Sequence, residues 1–216
     1  NSTNKTVSSI LVTESHDILI GLDDGLFKYD PTKDAFTHHS LQRLGDITIN
    51  ASVKSIIEDS NGEIWIGTWS DGLYRYSSST NTFNVYPQLN QRNSAHVIYE
   101  DSRQNIWVGS WEGGLHLLQN PYDIENLQWK TFRHDANDPT SLSDDIVYDI
   151  SEDINTNSLW IGTRSGLSIL ECDNLSTFVN YSTTHETNKL PTNEINSIIT
   201  DTKGNIWIGS IGGGVL

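Results

Sequence analysis

The chain has 216 residues, with 13 Lys or Arg against 28 Asp or Glu and a formal net charge of −15. Such a field repels phosphate backbones and anionic membrane surfaces, so no nucleic acid is expected as a partner of this segment, although a local cluster can still oppose the global sign. A single cysteine, Cys172, excludes an intrachain disulfide, no apolar run approaches the roughly 18 residues of a spanning helix, and the length suits one all-β domain.

Residues 1–6 are polar. Val7 to Thr13, dense in Val, Ile and Leu, predicts a first strand, and Ile18 to Gly21 a second. Asp23-Asp24-Gly25 reads as a turn, Leu26 to Tyr29 as a third strand, and Ala35-Phe36-Thr37-His38 opens a fourth after the loop Asp30–Asp34. The order strand, turn, strand, turn, strand, turn, strand is a four-stranded antiparallel meander. The same order repeats: strands at Val53 to Glu58, Glu63 to Thr68, Leu73 to Tyr76 and Thr82 to Tyr86, with Asn61-Gly62 and Asp71-Gly72 supplying the positive φ that tight hairpins need. A third unit runs from His96 to about Phe132 with an insertion at Asn120 to Gln128, a fourth from Ile146 to about Tyr181, and a fifth starts at Ile195 and reaches Leu216 just inside its third strand. No window shows the i, i+3, i+4 pattern of an amphipathic helix.

One phrase marks the second strand of each unit: Glu63-Ile64-Trp65-Ile66-Gly67-Thr68, then Ile106-Trp107-Val108-Gly109, Leu159-Trp160-Ile161-Gly162 and Ile206-Trp207-Ile208-Gly209, with Leu19 replacing the tryptophan in the first copy. From Gly21 the anchoring glycines step by 46, 42, 53 and 47 residues to Gly67, Gly109, Gly162 and Gly209. A period in the forties with four short strands per unit predicts a β-propeller. Its blades lie at about 7–40, 53–87, 95–133 and 146–182, with an incomplete one at 195–216, as one partial propeller domain over 1–216. Three consecutive large apolar residues in a strand need both sheet faces covered, and blades stacked face to face cover them. Trp65, Trp107, Trp160 and Trp207 are therefore expected in the core, where a buried indole hides roughly 150–250 Å², an upper bound of about 4–6 kcal/mol each. Closing a propeller pairs its first and last blades. An incomplete set is expected to leave open end faces, or to cover them by association with another copy.

These phrases resemble the propeller repeats of two-component regulators, which build the sensor regions of hybrid histidine kinases in gut Bacteroidetes. The matching stretches are Ile57 to Thr68, the loop from Phe132-Arg133-His134-Asp135 through Asn137-Asp138-Pro139-Thr140-Ser141-Leu142-Ser143, and Leu190-Pro191-Thr192-Asn193-Glu194-Ile195. The resemblance implies propellers of seven blades, in pairs, followed by a β-sandwich, a membrane span and a kinase. This chain is then a piece of a longer protein, as its start at Asn1 without any methionine also suggests. It implies a periplasmic, extracytoplasmic location for part of an inner-membrane protein, and polysaccharide fragments as ligands.

In a meander the second-to-third-strand turns and the links between blades leave at the same end. That rim varies between copies while the strands repeat, which is where a binding surface can be written. Trp69 and Trp111 stand two residues after the strand glycine, where the fourth and fifth units carry Arg164 and Ile211. Exposed aromatic faces beside polar groups suit sugars, so the candidate ligand-binding residues are Trp69, Asp71, Arg92, Trp111, His134, Arg164 and His185. Packing of the tryptophans against a neighbouring loop is the alternative, and Asp135 and Asp138 are expected to brace their own loop. Catalysis finds little support. The seven histidines show no metal-ligand spacing, Gly162-Thr163-Arg164-Ser165-Gly166 is not a nucleophile elbow, and the glycines from Gly209 to Gly214 lead into no helix. Neither a metal nor a cofactor is implied. Glu58-Asp59 and Glu100-Asp101 read as turn caps. The favoured function is an oligosaccharide-sensing, non-enzymatic segment of a hybrid kinase. The alternatives are a scaffold for protein–protein interaction and a propeller lyase or hydrolase.

Overall fold

The computed structural model describes residues 5–38, 40–43, 45–49, 51–77, 79–80, 82–86, 94–123, 126–184, 187 and 189–216, and at 40–43 and 45–48 the backbone alone. The chain divides into two compact units, 1–98 and 99–216. The first holds β1 (Val7–Val12), β2 (Ile18–Leu22), β3 (Gly25–Asp30) and β4 (Ala35–His38) in one antiparallel sheet, and β7 (Val53–Glu58), β8 (Glu63–Thr68), β9 (Leu73–Ser77) and β10 (Thr82–Tyr86) in a second. Between them a hairpin of β5 (Ser40–Arg43) and β6 (Gly45–Thr48) appears that no repeat phrase announces. The third sheet begins with β11 (Val97–Glu100), at the boundary of the units, and continues with β12 (Ile106–Gly109), β13 (Leu115–Gln119) and β14 (Gln128–Phe132). Next come β15 (Val147–Asp153), β16 (Ser158–Thr163), β17 (Gly166–Glu171) and β18 (Phe178–Tyr181), then a three-stranded sheet of β19 (Ile195–Thr200), β20 (Ile206–Ser210) and β21 (Gly214–Val215). Every sheet runs in chain order, so each is a blade-like meander, and the fold is an all-β propeller as the periodicity predicts.

The tryptophan phrase owes its spacing to a clasp inside each repeat. The carboxylate of Asp59 accepts the backbone N–H groups of Asn61 and Glu63, both at 2.9 Å, and the indole N–H of Trp65 at 2.6 Å. Asp101 holds Trp107 at 2.8 Å and Asp201 holds Trp207 at 3.1 Å in the same way. One carboxylate thus caps the first turn and satisfies a polar atom that burial would otherwise orphan. The β16 copy departs: its first turn is one residue longer, Asp153 turns to Thr156, and the Trp160 indole donates to Ser158 at 3.3 Å.

Leu19 and Trp160, at the indole position, face the following sheet. Leu19 packs with Ile64 and Ile66, and Trp160 with Ile198 and Ile208. Trp65 and Trp107 are fully buried, at 0% and 1% exposure, Trp160 is half-buried, and Trp207 is 48% exposed. The expectation of a core role for Trp207 is therefore corrected. It lies with Ile199, 63% exposed, on a face of the last sheet that no strand among the described residues covers. Trp160 is half-covered for the same reason, because the sheet stacked on it has three strands.

The repeated glycine marks where backbones of successive blades meet. A Cβ on Gly67 would stand 2.5 Å from the Ala95 carbonyl oxygen, and one on Gly162 2.5 Å from that of Ile195. Gly209, on the uncovered sheet, would meet nothing nearer than Ser197 at 3.3 Å. First strands are also pinned to each other. The Ser9 hydroxyl accepts the N–H of Ile56 at 3.1 Å, Ser55 that of Ile98 at 3.2 Å, and Asp149 that of Ile198 at 2.7 Å. Burial pushes the Asp149 carboxyl above the usual range, against the pull of its two backbone donors.

Candidate functional site

Four of the first strands carry a bulge at the same place, between Val7 and Ser9, Val53 and Ser55, Val147 and Asp149, and Ile195 and Ser197. The skipped residues are Ser8, Lys54, Tyr148 and Asn196. A bulge leaves one residue out of the ladder and re-aims its side chain. Here Lys54 meets Trp69 and Tyr148 meets Trp111, both in turns after second strands. Backbone bonds fix that meeting: Trp69 N–H to Ser52 O at 2.8 Å, Arg164 to Ile146 at 3.2 Å and Ile211 to Glu194 at 2.9 Å.

In the first unit the rim carries Trp69, 38% exposed. The Lys54 ammonium lies 5.6 Å from the indole centroid, and the His96 ring meets it edge-on at 6.3 Å. Lys54 also reaches Asp23 at 3.8 Å. Burial, then the Lys54 charge, pushes His96 below its ordinary pKa, so its ring is neutral near pH 7. Asp71 is exposed, its N–H held by the Thr68 hydroxyl at 2.9 Å. Arg92 lies outside the described residues.

In the second unit the equivalent of Trp69 is Trp111, half-buried with its ring edge-on to Tyr148 at 6.0 Å. Burial first and the Glu194 carboxylate second raise the Tyr148 hydroxyl above its ordinary pKa, which keeps it a hydrogen-bond donor. Arg164 is exposed and pairs through Nε with Asp144 at 3.1 Å, while Ser165 donates to the same carboxylate oxygen at 2.6 Å. This end therefore presents an aromatic pair beside a guanidinium whose other nitrogens face solvent. His134 does something else. Its Nδ1 lies 2.9 Å from the Leu142 carbonyl and its backbone N–H is 2.8 Å from Asp145, so the side chain clamps its own loop. The loop from Asp135 to Ser143 is braced as the acidic residues suggested. Asp135 accepts from Asn137 N–H and Asp138 from Thr140 N–H, both at 2.9 Å. Leu142 is fully buried, and Ser143 bridges Thr163 and Ser168 at 2.8 Å each. His185 lies outside the described residues.

Reasoning from sequence named the turn tryptophans and Arg164 as candidates and did not name Lys54, His96, Tyr148 or Asp144, which stand beside them. The signal was available: the residues after Val7, Val53, Ala95, Val147 and Ile195 are Ser8, Lys54, His96, Tyr148 and Asn196, varied in type within a repeated frame. Among the described residues, no three His, Cys, Asp or Glu side chains converge on a point suited to a metal ion.

The family model of the two-component regulator propeller matches residues 48–70, 90–112 and 189–212, each spanning a first strand, the clasp and the turn at the rim. Over these three segments the chain matches that family's repeat. The first and fourth copies, with Leu19 for tryptophan and a lengthened first turn, fall outside the matched segments. No curated protein matches the chain. Among solved structures, the extracellular domain assigned to a hybrid two-component system of B. thetaiotaomicron is similar over 100% of this chain and 27% of its own length, at TM-score 0.70 and 22% identity. PorZ, a surface component of the type-IX secretion system of Porphyromonas gingivalis, is similar over 97% of this chain and 32% of its own, at TM-score 0.68 and 16% identity. Virginiamycin B lyase from Staphylococcus aureus is similar over 100% and 70%, at TM-score 0.68 and 13% identity. These likenesses establish a shared propeller fold. The chain spans about a third or less of the length of the first two structures.

Proposed function

We propose that this chain is the extracytoplasmic, ligand-sensing propeller segment of a two-component regulator of the hybrid histidine kinase type, and that its rim takes an oligosaccharide. The observation that carries the reading is the bulge at the start of the first strands, which turns Lys54 and Tyr148 toward Trp69 and Trp111. Indole and phenol faces pack against the C–H faces of a pyranose. In the second unit the Arg164 guanidinium and the Tyr148 hydroxyl supply donors to its hydroxyls; in the first unit Asp71 supplies an acceptor beside Trp69. The segment is not an enzyme in this reading, and the lyase among its structural likenesses shares the fold without lending its chemistry.

Residues 1–216 then form one partial propeller, and the parent chain supplies the remaining blades and the membrane and kinase parts. The end faces fit that arrangement. Ile10 and Val12 are 65% and 62% exposed on β1, and Ile199 and Trp207 are 63% and 48% exposed on the last sheet. Further blades or a second copy would cover them. Sedimentation of the isolated chain as a non-associating monomer at high concentration counts against self-association.

A thermal-shift screen against plant and host oligosaccharides tests the sensing role. A ligand at 100 times its dissociation constant adds about 2.7 kcal/mol of stability. Trp69→Ala and Trp111→Ala should abolish the shift without lowering the unliganded melting temperature by more than a few degrees. Silence across the screen favours the second reading, a protein-interaction scaffold, for which the same exposed rim is the observation in support.

A further inference from the structure

The copy that lost its tryptophan did not close over the gap. On the face of the first sheet that meets the second, a cavity of about 110 Å³ is lined by Thr13, Leu19, Leu26, Lys28, Ile64 and Tyr76. It lies at the end of the blades opposite Trp69, by the turns between first and second strands, wholly within the first unit. The other repeats show what belongs there. In β8 the Trp65 ring fills the equivalent face, with the Arg75 guanidinium 5.7 Å from its centroid and a side-chain oxygen six residues earlier, that of Asp59, accepting its N–H at 2.6 Å. In the first sheet each part has a counterpart. Leu19 pairs across the strands with Lys28 as Trp65 pairs with Arg75. Thr13 stands six residues before Leu19, its hydroxyl already ordered by Asp17 N–H at 3.0 Å. Lys28 is held at the mouth by Asp17 at 2.6 Å.

We propose that this seam is a binding site for a small planar aromatic molecule carrying a ring N–H donor, of the indole class. The apolar floor of Leu19, Leu26 and Ile64 takes the ring edge, the Lys28 ammonium covers its face, and an oxygen of Thr13 or Glu58 accepts the N–H. Glu58 lines the same cavity and accepts Glu14 N–H at 2.7 Å. The volume is of the order of the roughly 150 Å³ engineered cavity that binds benzene in another protein. Two carboxylates, Asp17 and Glu58, and one ammonium line the cavity, so an anionic aromatic is disfavoured.

The test is a titration of free indole into the 216-residue chain, followed by backbone amide shifts. Saturable shifts at Leu19, Gly62 and Ile64 are expected, with a dissociation constant of about 1 mM or tighter. Indole-3-acetate should bind at least threefold more weakly. Leu19→Trp supplies the ring covalently and should raise the melting temperature while weakening indole at least tenfold. Absence of saturable shifts at those amides, or equal indole binding by a folded Leu19→Trp chain, overturns the proposal. Should that variant not fold, Lys28→Met decides: a threefold or greater loss of affinity supports the site, and unchanged affinity overturns it.

Discussion

Trp107 in β12 and Trp207 in β20 sit in nearly the same phrase, are each clasped by an aspartate six residues earlier, and yet are 1% and 48% exposed. Local sequence builds the strand, the turn and the indole's hydrogen bond in both places. What it does not supply is the neighbouring sheet. The difference isolates stacking as the force that makes the phrase into core.

Replacing each indole breaks the comparison most sharply. Trp107→Ala should cost about 3–5 kcal/mol, and Trp207→Ala about 2 kcal/mol because half its surface is already wet. Urea denaturation of the two variants reads the gap, and equal losses would mean that stacking adds nothing. Acid extends the contrast to another interior group. His116 on β13 is 1% exposed between Thr131 and Ser110, and burial, with Arg133 nearby, pushes its pKa down to about 4. An unfolded histidine titrates near 6.5, so the native state refuses a proton that the unfolded chain accepts. The stability tied to neutral His116 is fully present above about pH 6.5 and is lost as the pH falls to about 4, a total of roughly 3 kcal/mol. Stability measured at pH 7.5 and 4.5 should differ less in His116→Leu than in the parent chain.

The glycines give a smaller, paired effect. Gly67→Ala drives a methyl to 2.5 Å from a backbone oxygen of the next blade and should cost about 1–3 kcal/mol. Gly209→Ala meets only Ser197 at 3.3 Å and should stay within about 0.5 kcal/mol in thermal melts. The smallest contrast lies in the clasp. Asp59→Ala strands a buried indole N–H and two turn amides, at about 1–3 kcal/mol. Asp201→Ala leaves groups that water can reach, and its melting temperature should move least of all.

Much of the fold was legible because each strand carries its own cause: alternating or consecutive β-branched residues, then Asn-Gly or Asp-Gly where φ turns positive, as at Gly62 and Gly72. The hairpin over β5 and β6 escaped because it belongs to no repeat. The pairing of Asp59 with Trp65 escaped for another reason. A bond between residues six apart shows only once the hairpin register is known. Trp207 misled because its burial depends on a surface its own sequence does not encode. At the rim, Trp69 and Trp111 could be placed from the frame. Lys54 and Tyr148 could not, because their direction depends on a bulge.

The two kinds of fastening also bear on how such a chain can grow. The aspartate clasp closes inside a repeat, whereas the glycine contact and the first-strand hydroxyl bond join one repeat to the next. Tandem duplication of a stretch of about one period therefore brings a finished module together with the half-joint that receives its successor. Blade number becomes a quantity that copying errors can change by whole steps, while the variable rim residues diverge afterwards without disturbing the seams.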